Sequence, residues 1–185
     1  MKSYCRLPLT FLPARLQADL TAIPDDAWAT HFQPDYFEGE WNGVALRSVG
    51  GSVERLFPHR KAGGLYADTA LLDHCPAIRS ILGAFQCDTE MVRLLRLGRE
   101  GRILEHCDEK LNPERGVVRV HVPVLTNPDV YFYLNGQRVV MEEGESWFLD
   151  LALPHRVENR GASDRVHLVI DCCANNWTEM MFRLC

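Results

Sequence analysis

The chain has 185 residues, of which 46% are apolar and 24% charged, with a formal net charge of −5. A chain of that size can bury roughly two-thirds of its unfolded surface, so one self-sufficient domain is expected without help from disulfides or metal. The acidic balance argues against a nucleic-acid backbone as partner, which asks for a basic surface; small molecules and peptides stay open.

The N-terminal part, residues 1–88, reads as mixed helix and strand. Pro13 to Ile23 places Leu16, Leu20 and Ile23 at helical spacing behind a leading proline. Trp41 to Val49 (WNGVALRSV) reads as a strand closed by Gly50-Gly51. Thr69 to Phe85 suggests a helix start, a break before Pro76 and a second amphipathic helix. Beyond Cys87 the pattern turns to short alternating runs. Met91 to Leu97, Arg102 to Asp108, Gly116 to Leu125, Val130 to Leu134, Gln137 to Met141, Ser146 to Leu151 and Arg165 to Asp171 are strand candidates. Asn135-Gly136 between two of them is a strong hairpin signal. About seven short strands with turns between them predict a closed or sandwiched antiparallel sheet over residues 89–175, with the helices packed on one outer face.

The seven cysteines, Cys5, Cys75, Cys87, Cys107, Cys172, Cys173 and Cys185, form no C-x-x-C pair and read as reduced thiols of a cytoplasmic protein. Arg6, Arg15 and Asp19 interrupt the start of the chain, which has no apolar run long enough for a secretion signal or a membrane span. A cytoplasmic location with no membrane partner is therefore expected.

The chemistry gathers in the β-rich part. His106 and Asp108 are two residues apart, so on a strand or at its end they share a face, while Cys107 points away. His155 follows 47 residues after Asp108 and is steered by Pro154. Each alone has a bland reading, since an H-x-D is more often a surface hydrogen-bonded pair. Together, two imidazoles and one carboxylate can cap one face of a divalent iron and leave positions open, the donor pattern of non-haem Fe(II) oxygenases. Arg165, ten residues past His155, opens an alternating run in which Arg165, His167, Val169 and Asp171 share a face. A buried guanidinium needs a partner, and its planar fork suits a carboxylate. Arg119 and His121 share a face of a valine-rich strand and read as pocket residues. Arg93 and Arg96 fall on opposite faces, so at most one looks inward. Trp41 reads as core. His31, His59, His74 and His167 have no companion at ligand spacing and read as structural.

The stretches VRLLRLGREGRILEHCD, RVHVPVL, GESWFLDLALPH and DRVHLVID, in this order and spacing, resemble the aspartyl/asparaginyl β-hydroxylase family, and within it look most like the bacterial free L-proline hydroxylases. The likeness covers residues 91–171, with WNGVALRS a looser match. It implies a double-stranded β-helix (jelly-roll, cupin-like) fold and a requirement for Fe(II), 2-oxoglutarate and O₂. By position it implies that His106, Asp108 and His155 hold the iron. Arg165 would pair with the distal carboxylate of 2-oxoglutarate, with His121 helping to hold that co-substrate and Arg119 near the substrate. Vertebrate members lack the acidic ligand; this chain keeps Asp108 and is similar to the bacterial three-ligand branch. The expected reaction is hydroxylation of an unactivated C–H of an amino acid, free or in a peptide. The alternative is a non-redox cupin-like isomerase or small-acid sensor on the same barrel.

Overall fold

Two strands buried on both faces set the architecture. In β8 (Val117–Leu125) and β13 (Arg165–Cys173) every residue but the last is buried. On one face Val118, Val120, Val122, Val166, Leu168 and Ile170 join a large apolar cluster. On the other face lie Arg119, His121, Arg165, His167 and Asp171, also buried. Alternation of side chains along a strand produces this division directly.

Residues 2–56, 65–108, 111 and 116–184 are described in a computed structural model of the protein. The remaining strands are β1 (Tyr4–Thr10), β2 (Ala29–Thr30), β3 (Phe37–Glu38), β4 (Trp41–Val49), β5 (Tyr66–Asp68), β6 (Thr89–Leu97), β7 (Arg102–His106), β9 (Val130–Leu134), β10 (Gln137–Val139), β11 (Glu145–Leu149) and β12 (His155–Asn159). They form an eight-stranded sheet in the order β1-β11-β8-β13-β6-β4-β2, with β5 on β4, and a five-stranded sheet in the order β10-β9-β12-β7-β3. All described pairings are antiparallel. The two sheets enclose a second apolar cluster that includes Trp41, Leu97, Ile103, Phe132, Leu134, Leu149 and Val157. This is the expected double-stranded β-helix.

Three helices cover the outer face of the larger sheet. Leu16 of α1 (Pro13–Thr21), Ile78 and Ile81 of α2 (Pro76–Ala84), and Trp177 and Met181 of α3 (Asn176–Arg183) pack into the first cluster. Helices on one outer face were expected; that one of them is C-terminal was not. Asn175 caps α3 by accepting from the Thr178 backbone N–H at 3.1 Å, while the Asn175 N–H donates to the Thr178 hydroxyl at 2.9 Å.

Several expectations need correcting. Thr69 to His74 forms a 3₁₀ turn over Ala70–His74 rather than an α-helical start. Residues 155–159, assigned to no strand from sequence, form β12. β1 also escaped the sequence reading, because Pro8 and the short run hid its pairing with β11. Cys5 on β1 is disulfide-bonded, against the expectation of reduced thiols throughout, while Cys75, Cys87, Cys107 and Cys172 are free thiols. His59 lies outside the described residues.

Two turns depend on glycine. Asn135 and Gly136 have φ of +49° and +74°, the pair of positive values that a two-residue hairpin turn requires. Gly144 has φ +79°; its N–H donates to the Pro123 carbonyl at 2.9 Å and its carbonyl accepts from the Phe11 N–H at 2.8 Å. A Cβ there would collide with the Phe11 carbonyl oxygen, whereas a Cβ on Gly136 meets nothing within 4 Å. Gly136→Ala should therefore cost about 1 kcal/mol from backbone strain alone, and Gly144→Ala clearly more. Thermal denaturation followed by circular dichroism checks the order; equal melting temperatures for the two variants would contradict it.

Candidate active site

The hydrogen-bond ladder brings the metal-ligating candidates together. His155 opens β12 and is the register partner of His106 at the end of β7. Their ring centroids are 4.2 Å apart. Asp108 lies just past the strand end, where its N–H donates to the Leu151 carbonyl at 2.7 Å. One ligand atom from each of His106, Asp108 and His155 lies within 4.8 Å of the others. The spacing of His106 and Asp108 was legible in the sequence. The route of His155 was not: it comes from the start of its own strand, across the smaller sheet.

Backbone carbonyls set both imidazoles. His106 Nδ1 is 2.7 Å from the Leu104 carbonyl, and His155 Nδ1 is 3.0 Å from that of Leu153. A carbonyl only accepts, so each Nδ1 donates, which leaves Nε2 as the nitrogen placed to ligate a metal. Burial, reinforced by the neighbouring His106, pushes His155 down to about 4, so it is neutral at physiological pH. His155 thus offers a neutral Nε2 to a metal, beside the Nε2 of His106.

Two cationic regions line the same interior. In the first, Arg119 donates from Nε and Nη2 to the two oxygens of Asp171 at 2.6 and 2.9 Å, and from Nη1 to Asp108 Oδ2 at 2.8 Å. Arg93 joins them, its Nη2 3.8 Å from Asp171 and its Nη1 donating to the Leu56 carbonyl at 2.7 Å. Of the two β6 arginines it is therefore Arg93 that looks inward; Arg96 lies over the Trp28 ring at 4.3 Å. The second region holds Arg165, 2% exposed. Its Nη2 donates to His167 Nδ1 at 2.8 Å, and its Nε has no partner among the described residues. No carboxylate pairs with it among the described residues, and burial alone pushes its pKa down to about 9, still cationic at neutral pH. His121 Nδ1 is 3.3 Å from His167 Nδ1, and its Nε2 also lacks a partner.

Residues 31–41 contribute a wall that sequence reading did not assign to the site. The His31 ring stacks on Trp41 at 3.5 Å and 8°, and the Tyr36 ring lies 5.0 Å from His106. Burial, then Arg93, pushes His31 down to about 4. The signal was there as five ring-bearing residues, His31, Phe32, Tyr36, Phe37 and Trp41, in one short segment. His167 and Asp171, given no role from the sequence beyond the face they share, turn out to anchor Arg165 and Arg119.

Fold and donor set together define a jelly-roll protein with a two-histidine, one-carboxylate face beside buried arginines. The family model for aspartyl/asparaginyl β-hydroxylases matches residues 15–175, and the chain belongs to that family. The chain is 27% identical over 176 residues to the L-proline cis-4-hydroxylase of Rhizobium meliloti (strain 1021), an alignment covering 94% of this chain and 61% of that protein. It thus spans less than two-thirds of that relative's length. Among solved structures it resembles an oxidoreductase of the 2OG-Fe(II) oxygenase family from Burkholderia pseudomallei, with a TM-score of 0.63 at 15% identity over 95% of this chain and 87% of that one. HygX from Streptomyces hygroscopicus, solved with nickel and 2-oxoglutarate bound, gives a TM-score of 0.55 at 11% identity over 94% and 84% of the two chains. Among the described residues no helix is long and apolar enough to cross a membrane.

The buried histidines make stability depend on pH. Burial, then Arg165, pushes both His121 and His167 well below the usual value of 6.5. The unfolded chain takes up these protons as pH drops past that value, and the folded chain does not. Stability is therefore complete above pH 6.5 and falls below it. The urea midpoint of metal-free protein should drop steadily between pH 7 and pH 5, by roughly 1 kcal/mol per buried histidine per pH unit. A midpoint that stays level over this range would show that these rings are protonated in the folded state.

Proposed function

We propose that the protein is an Fe(II)- and 2-oxoglutarate-dependent dioxygenase that hydroxylates an unactivated C–H bond of an amino acid, free or within a peptide. The observation that carries the reading is Arg165. A guanidinium 2% exposed with no carboxylate partner among the described residues is costly unless an anion joins it. It lies in the same barrel interior as three metal-ligating side chains, which is where a dicarboxylate co-substrate would bridge cation and metal.

The donor set fits the metal. His106, Asp108 and His155 would supply two imidazole nitrogens and a carboxylate oxygen, which lie within 4.8 Å of one another, close enough for small side-chain rotations to bring all three to about 2 Å from one point. Bound there, Fe(II) with 2-oxoglutarate and O₂ would supply the oxidising chemistry, yielding succinate, CO₂ and a hydroxylated product. The chain's own residues do the rest. Arg165, steadied by His167, would take the distal carboxylate of the co-substrate through its fork. His121, its Nε2 open, would help to hold the same molecule. Arg119 uses three of its five N–H groups on Asp171 and Asp108; the others would be free for a substrate carboxylate. The Trp41, Phe132 and Leu134 cluster excludes water from the interior. The L-proline cis-4-hydroxylase relative supports a small amino acid as substrate.

The decisive assay is succinate release from 2-oxoglutarate, dependent on Fe(II) and O₂ and stimulated by one member of a panel of amino acids and short peptides. No succinate with any member would overturn the reading. Asp108→Ala should abolish turnover, since one of three ligands is lost; decarboxylation near the wild-type rate would remove Asp108 from the metal site. Arg165→Ala should raise the KM for 2-oxoglutarate at least tenfold, as loss of a charged partner costs roughly 2 kcal/mol or more. An unmoved KM would place the distal carboxylate elsewhere.

A further inference from the structure

Asp171 is a buried carboxylate, 1% exposed, on the strand that also carries Arg165. Both of its oxygens are taken by one edge of the Arg119 guanidinium, at 2.6 and 2.9 Å. Such a two-point clamp holds the guanidinium plane as well as its position. The remaining terminal nitrogen of the same group then meets Asp108 Oδ2 at 2.8 Å. Asp108 needs such a hold. It sits beyond the end of β7, and its side chain is 34% exposed. With Oδ2 engaged, Oδ1 is the oxygen left for a metal.

Charge points the same way. Arg119 alone would compete with a divalent cation for Asp108 and would repel that cation. Asp171 offsets it: Arg93 and Arg119 face Asp108 and Asp171, two cations against two anions. We infer that Asp171 is a positioning residue for the metal centre, acting through Arg119 to fix the Asp108 carboxylate; the inference rests on the reading of His106, Asp108 and His155 as metal ligands.

The test is Ni(II) binding to the metal-free protein by titration calorimetry, with the visible spectrum of the Co(II) form as a report on coordination. Asp171→Asn should weaken Ni(II) binding about 10- to 100-fold, the range typical for removing a group that orients a metal ligand, and should alter the Co(II) bands. Asp171→Glu keeps the charge but displaces the carboxylate, and should weaken Ni(II) binding only several-fold, less than the Asn variant. An Asn variant that melts at lower temperature yet binds Ni(II) as tightly as wild type, with the same Co(II) spectrum, would reduce Asp171 to a structural role and overturn the inference. If the Asn variant does not fold, the Glu variant decides: the displaced carboxylate should still shift the Co(II) bands and weaken Ni(II) several-fold, and wild-type values in both would overturn the inference. Wild-type protein that binds no Ni(II) would instead bring down the ligand reading itself.

Discussion

The site exists because two strands are buried on both faces and divide their side chains strictly between them. The outward valines, leucines and isoleucines of β8 and β13 are locked under three helices. That packing fixes the strands, and the strands fix the inward arginines and histidines. A one-residue slip would exchange the two sets and put guanidinium groups under the helices. The apolar face therefore enforces the register on which the polar face depends.

Within that interior the arginines differ in how they are compensated. Arg119 is clamped by Asp171 and reaches Asp108, so its charge is spent inside the protein. Arg165 has only a neutral histidine beside it. The first has its charge offset by two protein carboxylates and keeps two N–H groups in reserve; the second is a buried cation with no carboxylate partner among the described residues. The proposed use of an acidic co-substrate rests on this asymmetry more than on the presence of arginine as such. The candidate metal face is likewise oriented in advance, because the Leu104 and Leu153 carbonyls accept from Nδ1 of each ring.

Residues 31–41 add a wall from outside the central strands β8 and β13. A jelly-roll supplies metal donors and an anion pocket from its strands, while the wall over them comes from a connection between short strands β2, β3 and β4. Here that wall is aromatic, with Tyr36 beside His106 and His31 flat on Trp41. Loops carried by a rigid scaffold are where binding selectivity is usually built.

What the sequence determined by itself was local. The run WNGVALRSV marked a strand, alternation over RVHLVID marked another with its shared face, Asn135-Gly136 marked its hairpin, and the two-residue spacing put His106 and Asp108 side by side. Which residues pair across the barrel could not be read this way. His155 meets His106 through strand pairing, and Asp171 closes on Arg119 from 52 residues away. The clamp of Asp171 on Arg119, the lack of a carboxylate beside Arg165 among the described residues and the disulfide at Cys5 became visible only in three dimensions. The reason is physical: a side chain's face is set by its immediate neighbours along the chain, but its partner is chosen by which distant strand the backbone ladder lays beside it.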